Sequence, residues 1–218
     1  MNIKKSSGIK VLKLVRFKTK PQKVSPEFCV QPNPPYFAPS IQFLILRIHH
    51  AMSAITIRTD IRPGDLGYIT YLVGIIYAKE YGMTLLNDIE VATFLTHFIQ
   101  HYTPEKERLW VAETDEHIVG CILVYEESPG VAHLRSLILH PSVRGRGLGR
   151  QLMQLAIDFC REVGYQKITL ETFDELQAAL HLYDSFGFQL TGERFHAEWG
   201  RPVREVQFEL VLSNSAKS

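Results

Sequence analysis

Three glycines at alternate positions, interleaved with arginines, form the most chemically suggestive stretch of this chain: Val143-Arg144-Gly145-Arg146-Gly147-Leu148-Gly149, followed by Arg150. The stretch falls between a predicted strand that stops at Pro141 and a predicted helix. Leu148, Leu152, Leu155, Ala156 and Phe159 recur in that helix at i, i+4, i+7, i+8 and i+11. Glycines at a strand-to-helix junction let the chain turn tightly and let backbone N–H groups approach a ligand with no Cβ in the way. Together with the unpaired donors of the helix start they make a cradle for an anion. Arg144, Arg146 and Arg150 add positive charge, so a phosphate-bearing ligand is the natural occupant.

Several phosphate loops can be told apart by spacing. A Walker loop needs Gly-Lys-Ser/Thr after its glycines, whereas Gly149 is followed by Arg150-Gln151. A dinucleotide fingerprint needs Gly-x-Gly-x-x-Gly, and the third place after Gly147 is Arg150. A glycine-rich turn without a ligand also fits the residues alone.

The loop resembles the most diagnostic segment of the GNAT superfamily of N-acetyltransferases, Arg/Gln-x-x-Gly-x-Gly/Ala, which Arg144 to Gly149 match at every fixed place. A second stretch, Ala179-Leu180-His181-Leu182-Tyr183-Asp184-Ser185-Phe186-Gly187-Phe188, resembles that family's Ala-x-x-Leu-Tyr-x-x-x-Gly-Phe signature. The resemblance covers roughly residues 53–212. Leu176 departs from it, because many members carry Asn three places before the motif's Ala.

The resemblance implies an acetyl-CoA-dependent transfer of an acetyl group to a primary amine on a small molecule or peptide, without a covalent enzyme intermediate. It implies that Arg144, Gly145, Arg146, Gly147, Leu148, Gly149 and Arg150 hold the coenzyme pyrophosphate. It implies that the strand holding Leu137, Ile138 and Leu139 splays from its neighbour and pairs with the pantetheine arm, a backbone N–H near Ile138 or Leu139 serving the oxyanion. Tyr183 is implied as the acid that protonates the leaving thiolate, a role suited to a phenol that stays protonated at neutral pH. The base stays open among Glu126, Glu127, His133, His140 and Glu171. The acceptor pocket is expected from residues 68–87, the turn 126–131 and the last hairpin near 196–202. Glu80, Asp88, Glu90, Glu126 and Glu127 would favour a cationic amine by steering. Two other functions stay open: a coenzyme-binding module without turnover, and a nucleic-acid-associated protein using a basic head.

The elements that must position these residues follow from periodicity. A first strand at Ile55 and Ile57 precedes a turn at Arg62-Pro63-Gly64-Asp65. Leu66, Ile69, Leu72, Val73 and Ile76 then mark a helix ended by Gly82, and Val91, Phe94, Leu95, Phe98 and Ile99 a second, opened near Asn87-Asp88. Strands are predicted at 109–113, 117–125 and 131–139, the glycine-loop helix ends at Gly164, and a strand follows at 167–171. A short helix at 176–185 and strands at 188–191 and 203–212 complete the order. This is an α/β chain: one mixed sheet of six or seven strands with helices on both faces, as in the GNAT-like fold.

Composition sets the outer bounds. Residues 1–51 hold nine Lys/Arg against one acid and six of the eleven prolines; the remainder holds 15 Lys/Arg against 22 acids. The head 1–51 is therefore read as basic, proline-rich and flexible, with a short strand near 41–48. The clean alternation that begins behind Met52 makes Met52 a candidate start. The transferase domain is expected at 52–213 and a flexible tail at 214–218. The head's charge is read as solvated rather than as a nucleic-acid site. Cys29, Cys121 and Cys160 are too few and too widely spaced for a disulfide framework. No stretch has the roughly 18–20 apolar residues of a membrane span, and the basic start lacks a signal-peptide core, so a cytoplasmic location is expected. No His/Cys/Asp cluster has zinc spacing, so no metal is expected. A homodimer stays open.

Overall fold

The structure is a computed structural model that describes residues 54–115 and 117–212. The head 1–51 with its strand near 41–48, Met52, Cys29 and the tail 214–218 lie outside the described residues. The chain runs through β1 (Thr56–Arg58), α1 (Asp65–Tyr81), α2 (Leu85–Gln100), β2 (Arg108–Glu113), β3 (Ile118–Ser128) and β4 (Val131–Leu139). A 3₁₀ turn (Pro141–Val143) leads to α3 (Leu148–Val163), β5 (Lys167–Phe173), α4 (Gln177–Ser185), β6 (Gln189–His196) and β7 (Val203–Val211).

The seven strands lie in the order β1-β2-β3-β4-β5-β7-β6. Tight turns join β2 to β3 and β3 to β4, so those pairs are antiparallel. β4 and β5 are joined through α3, and such a crossover makes the pair parallel. The mixed sheet is thus a consequence of one helical crossover in an otherwise antiparallel set.

Alternation along the strands builds a core on each face. Leu109, Val111, Cys121 and Leu123 face α1 and α2, where they meet Ile69, Val73, Leu95 and Phe98. Trp110, Ala112, Ile122 and Val124 face the other way and meet Leu152, Met153, Ala156 and Phe159 of α3. Helices therefore cover both faces, each by its apolar stripe. Cys121 and Cys160 are buried free thiols. At the sheet edge, Arg58 of β1 bonds Asp65 of α1 (2.7 and 2.9 Å) and Glu113 of β2 (2.8 Å), fastening the first helix to the sheet.

Several boundaries differ from the sequence expectation: β3, for one, runs on to Ser128 rather than ending at 125. α2 opens at Leu85, before Asn87-Asp88, because the Thr84 hydroxyl accepts from the Leu86 N–H (3.3 Å) and caps the helix there. Asn87 is buried instead. β5 runs on to Phe173 and β6 to His196, since β7 is long enough to pair with both, from Phe173↔Glu205 to His196↔Val203.

The feature that creates a site is the divergence of β4 from β5. They pair only from Val131↔Lys167 to Leu134↔Leu170. Beyond that, β4 carries a bulge: Arg135 to Ile138 spans three steps while the paired Leu123 to Cys121 spans two. Ser136 in the bulge has φ 55°, the one positive φ outside glycine among the described residues. Its carbonyl accepts the Cys121 S–H at 3.4 Å. The bulge turns β4 away from β5, and a cleft opens at the carboxyl ends of this parallel pair, where α/β folds bind ligands.

Candidate active site

The glycine loop closes one side of that cleft. Gly145 and Gly147 have φ of 72° and 81°, the left-handed region that ordinary side chains avoid. A Cβ at either position would meet nothing within 4 Å, so the backbone faces open space. Gly147 is the N-cap of α3 and no side chain caps it. The first helical bond, Gln151 N–H to Gly147 O (3.0 Å), leaves the earlier N–H groups of the turn without helical acceptors. An open helix N-terminus of this kind can hold an anion.

The arginines do two kinds of work. Arg144 is pinned, its Nε donating to Leu139 O (3.0 Å) and its Nη1 to Glu80 of α1 (2.8 Å). Arg150 donates to Ser185 Oγ (3.0 Å) and lies over the Phe186 ring at 4.8 Å, which ties α3 to α4. Arg146 is exposed.

A cavity of about 420 Å³ joins the loop to the splayed strand. Of the residues expected to hold coenzyme, Leu137, Ile138, Leu139, Arg144, Gly145, Gly147, Gly149 and Arg150 line it. Arg146 and Leu148 do not; Leu148 is buried in the core beneath the loop. Leu176, Ala178, Ala179 and Leu182 form the facing wall. Leu176 is where the family motif often has Asn; here it also packs on the cluster of Met83, Phe173 and Val203.

Tyr183 is not on the cavity lining. It is 5% exposed and packs between Phe188 (5.9 Å) and Phe208 (6.0 Å). Burial pushes its pKa up, while a hydrogen bond with Thr172 of β5 pulls the other way. Tyr183 is near enough to Tyr77 to add to the burial that raises the Tyr77 pKa. Tyr77, on α1, does line the cavity. Tyr77 falls within the expected acceptor stretch 68–87 without standing out there, because only the crossing of α1 over the β4–β5 gap singles it out.

A second cavity, about 220 Å³, lies against the first and shares Tyr77 and Ile138 with it. It is lined by Val73, Asn87 and Glu90 from the helices, by His133, Arg135 and Ser136 from β4, and by Glu171, Thr172 and Phe173 from β5. Arg194, Glu198, Trp199 and Glu205 close it from the last hairpin. The hairpin is held there by Thr84 N–H, which donates to Trp199 O at 3.2 Å. Val73, Tyr77 and Asn87 fall in the stretch 68–87 and Glu198 and Trp199 in the stretch 196–202, whereas Glu90, Arg194 and Glu205 lie outside both. The turn 126–131 does not line the cavity, because Glu126 is drawn out to Lys106 (2.7 and 2.9 Å) and Glu127 to Thr169 (2.8 Å).

The charges of this second cavity are mostly paired. Arg135 bonds Glu90. Arg194 bonds buried Glu205 (2.6 Å) and Glu198 (3.1 Å). His196 Nε2 also lies 3.3 Å from Glu205. Glu171 has no ion-pair partner among the described residues and receives one hydrogen bond, from Gln207 Nε2 (3.2 Å). Burial first, then nearby Glu205, raises its pKa above the usual carboxylate range. Asn87 Nδ2 is sealed from solvent without a partner. Among the described residues no group of three or more His, Cys, Asp or Glu could hold a metal ion, and no helix is long and apolar enough to cross a membrane.

Taken together, the mixed sheet, the bulged strand and the glycine loop define an α/β protein with a cleft between two diverging parallel strands. The chain belongs to the acetyltransferase (GNAT) family, whose sequence profile matches residues 76–188, just over half of it. It is 32% identical over 122 residues to human N-acetyltransferase 8B, covering 53% of this chain and 54% of that protein. It is 34% identical over 137 residues to an uncharacterized N-acetyltransferase of Schizosaccharomyces pombe, covering 62% of this chain and 82% of that protein. The chain thus spans about half the length of the human relative. Its fold is that of an acetyltransferase from Salmonella typhimurium solved with its cofactor acetyl-CoA (TM-score 0.56, 21% identity, 75% of this chain and 96% of that one). A Staphylococcus aureus acetyltransferase of the GNAT family is similar in fold (TM-score 0.59, 20% identity, 72% and 99%).

Proposed function

We propose that this chain transfers an acetyl group from acetyl-CoA directly to a primary amine. The observation that carries this is the meeting of two cavities at Ile138 and Tyr77, one floored by a glycine cradle and the other lined by charged side chains. The cradle suits a pyrophosphate, because the backbone at Gly145 and Gly147 is open and the α3 N-terminus is uncapped. Leu137, Ile138, Leu139, Ala179 and Leu182 give the apolar slot that a pantetheine arm needs. The thioester then falls at Ile138, between the two cavities.

In this reading the amine enters from the second cavity and attacks the thioester carbon. A backbone N–H near Ile138 or Leu139 stabilises the charge that develops on oxygen. Tyr183 supplies a proton to the departing sulfur. Its raised pKa keeps it protonated, and it lies within electrostatic reach of Tyr77, which borders both cavities. Cys121 and Cys160 stay out of the reaction: both are buried and their pKa values are pushed up to about 12, so neither offers a thiolate. These free buried thiols also suit a reducing, cytoplasmic setting. Residues 52–213 form the transferase domain in this proposal.

The acceptor class follows from charge. Four carboxylates, Glu90, Glu171, Glu198 and Glu205, line the second cavity against Arg135 and Arg194, both already paired. A cationic amine supplies what Glu171 lacks. The test is CoA release from acetyl-CoA with spermidine, lysine, glycylglycine and an uncharged arylamine, with the product weighed by mass spectrometry. Acetylated cationic amines support the proposal. Coenzyme binding with no amine-dependent release would make the chain a binding module and sink it.

A further inference from the structure

His133 carries a hydrogen-bond pattern that fixes which of its nitrogens holds the hydrogen. The residue is 4% exposed, near the start of β4, opposite Thr169 of β5 in the parallel register. Its Nδ1 is 2.9 Å from Thr169 Oγ1. The same hydroxyl is 2.8 Å from Glu127 Oε2 and 3.3 Å from Ala132 O. A hydroxyl has one proton, and a carboxylate and a carbonyl can only accept. The Thr169 proton therefore goes to one of those oxygens, and toward the ring Thr169 is an acceptor. Nδ1 must carry the hydrogen.

The consequence falls on the other nitrogen. Burial pushes the His133 pKa down to about 4, so the ring is neutral at neutral pH and Nε2 holds a lone pair. No group among the described residues bonds Nε2, and it is not one of the atoms sealed from solvent without a partner. His133 lines the second cavity. The groups facing the ring are Tyr125 of β3 at 5.1 Å, Glu127 of β3, Arg135 of β4, Thr169 of β5 and Glu205 of β7. Glu127 and Glu205 favour the protonated ring, and Arg135 opposes it.

We infer that His133 Nε2 is the atom that takes the proton from the attacking amine, with Thr169 and Glu127 as positioning residues that hold the ring in the Nδ1–H tautomer. This rests on the acetyl-transfer reading. When the amine nitrogen bonds the carbonyl carbon it becomes positively charged and acidic. Its N–H bond breaks, the electron pair stays on nitrogen and the proton passes to Nε2. Nδ1–H stays on Thr169, and the Glu127 carboxylate, 3.7 Å from Nδ1, offsets the new charge. The carbon–sulfur bond then breaks and Tyr183 protonates the thiolate; as product leaves, His133 releases its proton to water and the Tyr183 phenolate takes one back from water, so that both groups are regenerated. The other sequence candidates are engaged elsewhere: Glu126 holds Lys106, Glu127 acts through Thr169, His140 bonds Ser142 and does not line the second cavity, and Glu171 meets the incoming positive charge.

Two measurements on the full chain test this. Nitrogen-15 NMR of histidine-labelled protein reads the tautomer with no acceptor present, and the expected spectrum has Nδ1 protonated and Nε2 bare. Steady-state CoA release with spermidine, lysine and glycylglycine should show kcat for His133→Gln lowered about 10²-fold with the acetyl-CoA KM unchanged. Thr169→Val should lower kcat by a smaller factor and release the tautomer, while Thr169→Ser, which keeps the hydroxyl, should restore both. An Nε2–H tautomer in the wild type overturns the inference, as does full kcat in His133→Gln or a Thr169→Val chain unchanged in tautomer and kcat. A wild type silent with all three amines would instead sink the transfer reading, and the NMR result would still decide the tautomer.

Discussion

His133→Gln also makes a quantitative prediction about folding, independent of any acceptor. The ring's pKa is about 4 in the folded chain against an ordinary 6.5. Between those values the unfolded chain binds a proton that the folded chain refuses, so stability falls as pH falls. The contribution is fully present above pH 6.5 and is lost progressively as pH drops toward 4. The whole window is worth about 3 kcal/mol, at 1.36 kcal/mol per pKa unit. From pH 7 to pH 5 the loss comes to about 2 kcal/mol. Carboxylates titrate in the same range, so the informative quantity is the difference between wild type and His133→Gln. Glutamine keeps a hydrogen-bonding group of similar length and does not titrate. Urea unfolding of both chains at pH 7, 6 and 5, followed by tryptophan fluorescence with m-values checked for equality, measures it. Wild type should lose about 2 kcal/mol more than the variant over that range. Parallel pH dependence in the two chains, or a wild type that gains on acidification, would refute the burial argument for His133.

Other outcomes follow from single positions. Gly147→Val places a β-branched side chain at φ 81° and into the cradle, and calorimetry should show acetyl-CoA affinity reduced about tenfold or more. Tyr183→Phe should keep coenzyme affinity while kcat falls about 10²–10⁴-fold, provided the chemical step limits turnover. Leu152, 0% exposed at the centre of the α3 face, should cost about 2–5 kcal/mol in denaturant unfolding when truncated to Ala, with no change in the coenzyme cavity.

How much of this was legible in the sequence depends on how local each cause is. The glycine loop could be read directly, because a left-handed turn before an amphipathic helix needs glycine at fixed places, and Gly145 and Gly147 adopt those angles. The α3 stripe and the alternation of β2 and β3 were equally plain, and they imply a sheet covered on both faces. The second cavity was only partly readable. Arg194 and Glu205 meet because β6 and β7 pair in one particular register, and Glu171 joins them across β5. Nothing in the spacing of 171, 194 and 205 announces that. The bulge at Ser136 was likewise invisible, since no glycine marks it. Its position comes from the pairing of β4 with β3, and it decides where the cleft opens. The neutral tautomer of His133 needed Thr169 and Glu127 brought to one place by three strands, so sequence left the base open among five residues.

The central claim is that coenzyme and acceptor meet at Ile138 from opposite sides of the β4–β5 gap. A crystal structure of the full chain with acetyl-CoA tests it most directly. The account predicts pyrophosphate oxygens on the backbone N–H groups between Gly145 and Arg150, the pantetheine arm along Leu137–Leu139, and the acetyl carbon beside Ile138, facing His133 and Glu171. A coenzyme seated away from the glycine loop, or an acetyl group pointing away from the second cavity, would contradict it.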